Sequence, residues 1–469
     1  MPSASGHTAP QLRTAESQTA EEAPRRRRRR RSRSKDEEWP IRIGFLALAF
    51  CALLALALLG PLMTYESDAT AGSGQLARQV GYIGIALLTA YSVRALKMPR
   101  RLLVVPIWIA ISVGWCWLSV TWAFDPRISL RRLILMTIVL WSSFVLVRQL
   151  GYRSALLLIR GALVLLLAAN FITVFYYPEV GVHQFDRLGE GGLSGDWRGI
   201  MAHKNMSGLV TALTILYFTF DAGRIPKIVQ IPVLAAACYF LWFSSSRTSV
   251  GVCVAALAIG FLYSWYRFKY RPIAIGVLVI LTLVGAVIQN VFSDPFLRVL
   301  NDPAAFTGRT VIWAAMWAFY RNFPLFGAGY GSFWNIGPAS PINQYGSDWL
   351  LSVAEGHNGY LDLLVTIGPI GLALVVFSTL VLPIAKLLNW RRSEGQTGAL
   401  LMAVMIFIIG HNATESSLFD RDNIGQVFLM LNLAMIWSVT GRGRGATAGG
   451  VDLFSWANRS EDTPAPANA

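Results

Sequence analysis

Charged side chains are scarce in this chain of 469 residues. Only 14% of the residues are Asp, Glu, Lys or Arg, whereas 54% are hydrophobic and the mean hydropathy is +0.48. A soluble domain cannot bury that much apolar surface, so the composition excludes an ordinary water-soluble globular protein. The low charge content predicts a protein whose solvent is the lipid bilayer.

Several chemical signatures are also missing. There is no Walker A sequence, which argues against ATP as a substrate. No group of His, Cys and carboxylates has the spacing of a metal site, and the acidic pairs Glu66/Asp68 and Asp420/Asp422 are typical of solvated loop charge. We therefore expect no metal and no other cofactor. Free buried thiols are predicted for the four cysteines, which form no Cys-x-x-Cys pair and lie in apolar runs, at Cys51, Cys116, Cys238 and Cys253.

Positive charge is concentrated near the N-terminus. The arginine run from Arg25 to Arg31 contributes to a net charge of +15 and directly precedes the first apolar run. This position favours a topogenic anchor that stays in the cytosol over a nucleic-acid site. Residues 1–38 are predicted to be a disordered, Arg-rich cytosolic tail, and residues 442–469 a second one.

Long apolar runs predict the fold. An α-helix needs about 20 apolar residues to cross a bilayer. We predict an all-α polytopic membrane protein in which residues 39–441 form about 12 transmembrane helices. The runs are roughly 41–63, 79–96, 102–120, 130–148, 154–176, 206–222, 228–243, 249–266, 272–292, 359–387, 397–412 and 423–440.

The charges of the loops predict the orientation of these helices. With the N-terminus inside, every short inner loop is basic, as the positive-inside rule requires. Two outer segments are long, at 178–205 and at 293–357. The second, the large outer loop, contains residues that recur on one face at helical spacing, which predicts an amphipathic helix lying flat at the membrane interface; they are Arg309, Trp313, Met316 and Tyr320. Pro324 should end this helix, and the glycines of 327–331 should form a flexible turn.

Basic residues on the outer side of a membrane protein are unexpected and mark a candidate site for an anionic substrate. His357 precedes a helix that Gly368-Pro369 should kink. A neutral imidazole near the membrane surface can take a proton from a sugar hydroxyl. The alternative is a histidine that only caps the helix.

The forked guanidinium groups of Arg309 and Arg247 match phosphate oxygens and would stabilise a developing pyrophosphate. The alternatives are salt bridges to Asp302 or Glu355, or contacts with lipid headgroups. Arg127, Arg131 and Arg132 would also suit headgroups or phosphate.

The other long outer segment, 178–205, supplies weaker candidates. Lys204 and Arg198 would add phosphate contacts, and Asn205 would bind sugar hydroxyls. His203 belongs either to the site or to the start of the next helix. His411, with Glu415 four residues on, would support the site indirectly.

The chain resembles the O-antigen ligase superfamily over roughly residues 40–440. The motifs that carry the resemblance are His203-Lys204-Asn205 before Gly208, Ser246-Arg247-Thr248, Gly308-Arg309-Thr310 before Trp313, the segment 324–331, and His357-Asn358 before Gly368 and Gly371. The His-Lys-Asn element is most similar to the exopolysaccharide production branch.

The resemblance implies a C-type glycosyltransferase-like fold in the bacterial inner (cytoplasmic) membrane, with the active site on the periplasmic face. Members transfer an oligosaccharide from undecaprenyl pyrophosphate to a hydroxyl of an acceptor glycan, without a metal. His357 matches the family's proposed base, and Arg309 and Arg247 match its pyrophosphate-binding arginines. The branch implies exopolysaccharide or O-antigen polymerisation and polysaccharide export partners.

Two other functions stay open. One is an O-antigen ligase that joins the glycan to lipid A-core. The other is a transporter or flippase of the same glycolipid, although a transporter should place ionisable groups near mid-membrane and show repeated halves.

Overall fold

The computed structural model describes residues 42–59, 76–95, 97–184, 193–273, 276, 308–346, 350, 353–390 and 395–441. Both predicted tails, the loop with Glu66 and Asp68, most of the predicted span 272–292 and the first part of the large outer loop, with Asp302, lie outside the described residues.

The described part of the chain is helical, and an isolated bridge between Val182 and Trp197 is its one β contact. The longer helices are α1 (Arg42–Leu59), α2 (Leu76–Ser92), α3 (Ile107–Ser119), α4 (Pro126–Leu150), α5 (Tyr152–Tyr176), α6 (Lys204–Thr219), α7 (Lys227–Phe243), α8 (Arg247–Ser264), α9 (Arg309–Asn322), α10 (Gly359–Leu388), α11 (Gly395–His411) and α12 (Ile424–Thr440).

Each predicted span within the described residues coincides with one of these helices, with ends shifted by a few residues. α4 begins before the predicted residue 130 because Asp125 caps it. The Asp125 carboxylate accepts the backbone N–H of Ile128 at 2.9 Å, and Pro126 occupies the first helical position. Asp125-Pro126 is thus a helix start as well as a turn.

Length and apolarity identify five helices of the described part that can cross a membrane, namely α1, α4, α5, α8 and α10. α7, α11, α12 and the apolar stretch that contains α3 are shorter. Together with the large apolar side chains exposed on the outer helices, such as Leu165, Ile228 and Trp242, this is the architecture of an all-helical polytopic membrane protein. The figure of about 12 spans stays a prediction.

The centre of the bundle is formed by α11 and α12. α11 packs along α8, and α12 packs along α4, while α6 lies between α7 and α8. α12 buries every residue from Ile424 to Ile436, as expected of a helix that is apolar on all faces. Cys116 and Cys253 are buried, but Cys51 and Cys238 are exposed, so the prediction of buried thiols is wrong for the latter two.

The kink predicted in α10 is confirmed. Gly368 has φ 71° and ψ 179° inside the helix, directly before Pro369. A Cβ on Gly368 would lie 2.1 Å from the carbonyl oxygen of Leu325, so a side chain has no room where the chain after α9 crosses α10. The Trp115 indole N–H donates to the Ile367 carbonyl at 3.0 Å and satisfies a polar group at the break.

The glycine-rich turn after α9 is packed rather than flexible, which corrects the prediction. Ala328 donates to Val365 of α10 at 2.8 Å and accepts from Phe124 at 3.1 Å. Gly329 has φ 84°, and a Cβ there would lie 2.5 Å from Ala123. The turn therefore fixes the large outer loop to α3, α4 and α10.

The predicted amphipathic helix exists as α9 and ends before Pro324. Its buried stripe is formed by Ile312, Ala315, Met316 and Phe319, which pack on Val365 of α10 among other residues. Of the predicted face, only Met316 is fully buried, because α9 is covered by protein on the side that contacts α10. α9 thus lies over the start of α10.

Candidate functional site

Helix ends from distant parts of the chain meet at one end of the bundle. α6, α8, α9, α10 and α12 begin there, and α11 ends there. The connecting residues 412–423, which we name the α11–α12 loop, lie between them. A cavity of about 730 Å³ opens at this end, and its lining includes two histidines and three arginines, His203, His357, Arg78, Arg132 and Arg421.

The carboxylate of Glu415 is the point on which distant motifs converge. Its Oε1 accepts from Arg309 Nη2 at 2.5 Å and from Asn205 Nδ2 at 2.7 Å. Its Oε2 lies 3.3 Å from His357 Nδ1. Only 9% of the Glu415 side chain is exposed, so hydrogen bonds with these partners take the place of hydrogen bonds with water. We call Glu415, Glu355, His357, Arg309 and Asn205 the Glu415 cluster.

His357 is not the cap of α10. Asn358 caps the helix through its side-chain oxygen, which accepts from Tyr360 N at 3.2 Å and Leu361 N at 3.0 Å. His357 itself has φ 49°, a left-handed conformation that is uncommon for a residue with a side chain. The capping alternative is therefore wrong, and the strained backbone leaves the imidazole in the cavity lining.

Glu355 is a second carboxyl group beside the same imidazole nitrogen. Its Oε1 lies 3.3 Å from His357 Nδ1, and it also lines the cavity. Burial, opposed by His357 and aided by Glu415, raises the pKa of Glu355 to about 7. Burial thus favours the protonated form of Glu355 more than water does.

Glu415 and His357 stabilise each other as an ion pair. Burial alone would raise the pKa of Glu415, but the hydrogen bond with His357 and the charge of Arg309 outweigh it and lower the pKa to about 2. Burial would lower the pKa of His357, but the hydrogen bond with Glu415 and the charge of Glu355 raise it above its usual value. The Nδ1 atom that faces both carboxyl groups thus carries a proton, and Nε2 is the atom left for chemistry.

His203 and Asn205 reach the cavity but are occupied by the protein. His203 caps α6, with Nδ1 accepting from Asn205 N at 3.2 Å. Burial and the neighbouring His183 lower the pKa of His203 to about 4, so it is neutral and offers no charge to a phosphate. The Asn205 side chain bridges Glu415 and Ser246 Oγ, the latter at 3.3 Å.

Four predicted phosphate contacts do not line the cavity, and one of them is Arg309, which binds Glu415 at its edge. Lys204 Nζ is paired with Asp196 at 2.5 Å, and buried Arg198 donates from Nε to the Val180 carbonyl at 2.8 Å. Arg247 is the first residue of α8 and is exposed. Its neighbour Thr248 accepts a hydrogen bond from Thr414 at 3.0 Å, which places Arg247 next to the α11–α12 loop.

The acidic pair Asp420/Asp422 is held by arginines, which corrects the prediction of solvated loop charge. Asp420 Oδ1 lies 2.8 Å from Arg421 Nε, and Asp422 Oδ2 lies 2.5 Å from Arg78 Nε. Arg132 is buried and donates to the carbonyls of three residues, Gly331, Trp334 and Asn335, at 2.5 to 3.0 Å. Sequence reasoning missed Arg78 and Arg421, and the only signal was an arginine between two acids in an outer loop.

Glu355, His357 and Glu415 also form a potential metal-ligand set, because one donor atom of each lies within 4.8 Å of the others. Two carboxylates and an imidazole suit several divalent cations. The guanidinium of Arg309, 2.5 Å from Glu415, opposes a cation there and already neutralises one carboxylate. A reaction without metal therefore stays our prediction.

Comparison with known proteins identifies part of the chain. Residues 232–376 match the model of the O-Antigen ligase family, from within α7 to within α10. The match confirms the resemblance to the O-antigen ligase superfamily and includes Arg247, Arg309 and His357. No curated protein matches the chain.

Proposed function

We propose that this chain, part of which matches the O-Antigen ligase family, is a membrane glycosyltransferase that moves an oligosaccharide from undecaprenyl pyrophosphate to a hydroxyl of an acceptor glycan. The match to the O-Antigen ligase family supports an enzyme that acts on lipid-linked glycans. The observation that carries the proposal is the convergence of His357 and Arg309 on Glu415 beside a cavity of about 730 Å³. We further propose that the reaction is polymerisation of exopolysaccharide or O-antigen, on the periplasmic face of the inner membrane.

In the proposed reaction the acceptor hydroxyl oxygen attacks the anomeric carbon of the donor sugar. The bond between that carbon and the pyrophosphate oxygen breaks, and undecaprenyl pyrophosphate leaves with the electron pair. The hydroxyl proton passes to Nε2 of His357. Because the leaving group is already good, positioning and charge neutralisation are the main tasks of the protein.

Glu415 orients the base. Its carboxylate stays ionised and accepts the Nδ1 proton of His357, which fixes the tautomer with Nε2 free. It also stabilises the imidazolium that forms when Nε2 takes the proton. Before the reaction His357 must be neutral, with its proton on Nδ1 and none on Nε2, and Glu355 is a second hydrogen-bond acceptor beside Nδ1.

Arg309 has two proposed roles. One terminal nitrogen holds Glu415, and the other donors of its guanidinium are suited to the pyrophosphate. Arg247, exposed beside the α11–α12 loop, would contact the same leaving group. We assign Lys204 and Arg198 to the support of this end of the bundle through Asp196 and Val180.

Purified protein reconstituted into liposomes with lipid-linked repeat units tests the proposal. The wild type should lengthen the glycan on the donor lipid, and His357→Ala should bind the donor without forming bonds. Transfer to lipid A-core alone would establish the ligase alternative. Movement of the donor across the bilayer with no new glycosidic bond would establish the transporter alternative and overturn the proposal.

A further inference from the structure

The α11–α12 loop contributes a second ionic group to the cavity that the proposed mechanism does not use. Glu415 lies near the start of this loop, and Arg421 lies near its end. Both line the cavity.

The backbone of Arg421 is held in an unfavourable conformation. Its φ is 36°, in a region that residues with side chains rarely adopt. Its N–H donates to the hydroxyl of buried Tyr330 at 3.4 Å, and that hydroxyl donates to the Phe419 carbonyl at 2.7 Å. Strain of this kind persists where the surroundings impose it, and it concentrates at functional sites. The side chain is still 41% exposed, so the strain does not serve to bury it.

Most donors of Arg421 are unused. Nε pairs with Asp420 at 2.8 Å, and the two terminal amino groups make no hydrogen bond to any residue that the structure describes. Arg78 has the same arrangement, with Nε on Asp422 at 2.5 Å and its terminal groups without a partner in the described ranges. Each aspartate therefore orients an arginine and leaves the two terminal amino groups of that arginine available for a ligand.

Three arginines lie close to Asp420 and Asp422 in the cavity lining. Arg78, Arg132 and Arg421 line this part of the cavity with only Asp420 and Asp422 as paired carboxylates. The third arginine, Arg132, donates only to carbonyl groups among the described residues.

The other acids of the cavity are bound by protein donors or are partly neutral. Glu415 is bound by Arg309. Asp362 accepts from Trp334 Nε1 at 2.7 Å, from Gly356 N at 3.2 Å and from the Ser416 hydroxyl. Glu355, with a pKa of about 7, is partly neutral at physiological pH.

We propose that the terminal amino groups of Arg421 and Arg78 form a subsite for an oxyanion carried by the glycan substrate, either the carboxylate of an acidic sugar or a phosphate. The inference rests on the proposed function for the identity of the substrate. A guanidinium fork binds either group through two parallel hydrogen bonds. The subsite shares the cavity with His357, so an anion bound there would position the glycan relative to the base.

Binding of simple probes tests the subsite without any transfer. Glucuronate, inorganic pyrophosphate and neutral glucose are titrated calorimetrically into the detergent-purified full chain. The wild type should bind one of the two anions and not glucose, and Arg421→Ala should weaken that binding about tenfold, as expected for loss of charge-assisted hydrogen bonds. Arg321→Ala is the matched control, because Arg321 is an exposed arginine of the large outer loop that does not line the cavity.

The probe that binds identifies the source of the anion. Glucuronate indicates an acidic sugar, and pyrophosphate indicates the donor lipid. Absence of anion binding by the wild type overturns the proposal, as does equal binding by Arg421→Ala. Arg421→Gln, which keeps hydrogen-bond donors without the charge, and a thermal unfolding curve for each variant separate loss of the subsite from loss of the fold.

A kinetic arm keeps the two proposals distinguishable. In the transfer assay Arg421→Ala should raise the KM of the anion-bearing substrate about tenfold with little change in kcat. Reduction of the sugar carboxylates should remove that difference if glucuronate is the binding probe. If the wild type forms no glycosidic bond, the proposed function fails while the binding result still decides the subsite.

Discussion

Both ends of the bundle contain arginines, and the partners of Arg160 at one end differ from those of Arg309, Arg78 and Arg421 at the other. At the end away from the cavity, Arg160 of α5 donates to the carbonyls of Tyr217, Phe220 and Asp221 at 2.8 to 3.0 Å. The Asp221 carboxylate accepts from Tyr152 at 2.7 Å and from Thr397 at 3.0 Å. At the other end, Arg309, Arg78 and Arg421 each bind a carboxylate through one nitrogen.

The difference separates structural from functional charge. Arg160 closes the C-terminal end of α6, where helix carbonyls lack partners and attract positive charge. None of the residues around Arg160 lines the cavity. The end of the bundle with the cavity combines open space, arginine amino groups without a partner among the described residues, and a histidine with a strained backbone. These are the features of a binding site.

Replacement of His357 by Ala should have the largest effect. Loss of the general base should lower kcat by about 10² to 10⁴. Transfer of radiolabelled repeat units measures the rate, and retention of donor lipid by the purified variant is the control for folding. Full activity of this variant would remove the assignment of the base.

Glu415→Gln should have the second-largest effect, a loss of about a hundredfold in kcat/KM. The amide neither fixes the tautomer of His357 nor stabilises the positive charge of its imidazolium. The pH profile carries the sharper test. The base is active when deprotonated, so activity rises with pH through the pKa of His357, which Glu415 raises. Removal of the carboxylate should shift this rise to lower pH. A profile that does not move would show that Glu415 does not act through His357.

Arg309→Lys should lower kcat/KM about tenfold, because an ammonium cannot reproduce the fork that contacts Glu415 and the pyrophosphate. Steady-state kinetics with varied donor lipid measure the effect. Unchanged kinetics would contradict the phosphate role. Arg321→Lys, a change at an exposed residue outside the cavity lining, is the control.

Arg160→Met should give the opposite pattern at the other end of the bundle. Three carbonyl groups would lose their donor, so the free energy of unfolding should fall by about 2–4 kcal/mol. Thermal unfolding in detergent measures the loss. The kcat of the folded protein should stay at the wild-type value, and a specific loss of kcat would erase the contrast between the two ends.

Lys204→Met should have the smallest effect. Its ion pair with Asp196 is largely buried but joins residues only eight positions apart, and we expect a loss of about 1 kcal/mol or less in stability. Donor KM should not change. A rise in donor KM would instead support the contact between Lys204 and pyrophosphate that the sequence predicted.

The positions of the helices were predictable because each depends on a local property, the length of an apolar run. The kink at Gly368 was predictable for the same reason, since Gly-Pro breaks a helix through its own backbone. The buried face of α9 could not be predicted, because it depends on where α10 and the packed glycine turn lie. The span at 272–292 stays a prediction.

Among the site residues, residue type and order along the chain pointed to His357 and Arg309 but not to their partner. Glu415 is 106 residues from Arg309, and Asp422 is 344 residues from Arg78. No local pattern encodes such pairs. The sequence likewise could not show which of the candidate basic residues reach the substrate, and in the structure Lys204 and Arg198 bind Asp196 and Val180.

By itself the sequence determined that this chain is a helical membrane protein with histidine and arginine motifs that resemble those of the O-antigen ligase superfamily, because the length of an apolar run and the type of a residue are local properties. Only the tertiary structure decided which ionisable groups act together. A buried charge must find a counter-charge or a hydrogen bond wherever the fold provides one. At this end of the bundle the fold provides Glu415 for His357 and Arg309, and leaves the fork of Arg421 beside an open cavity.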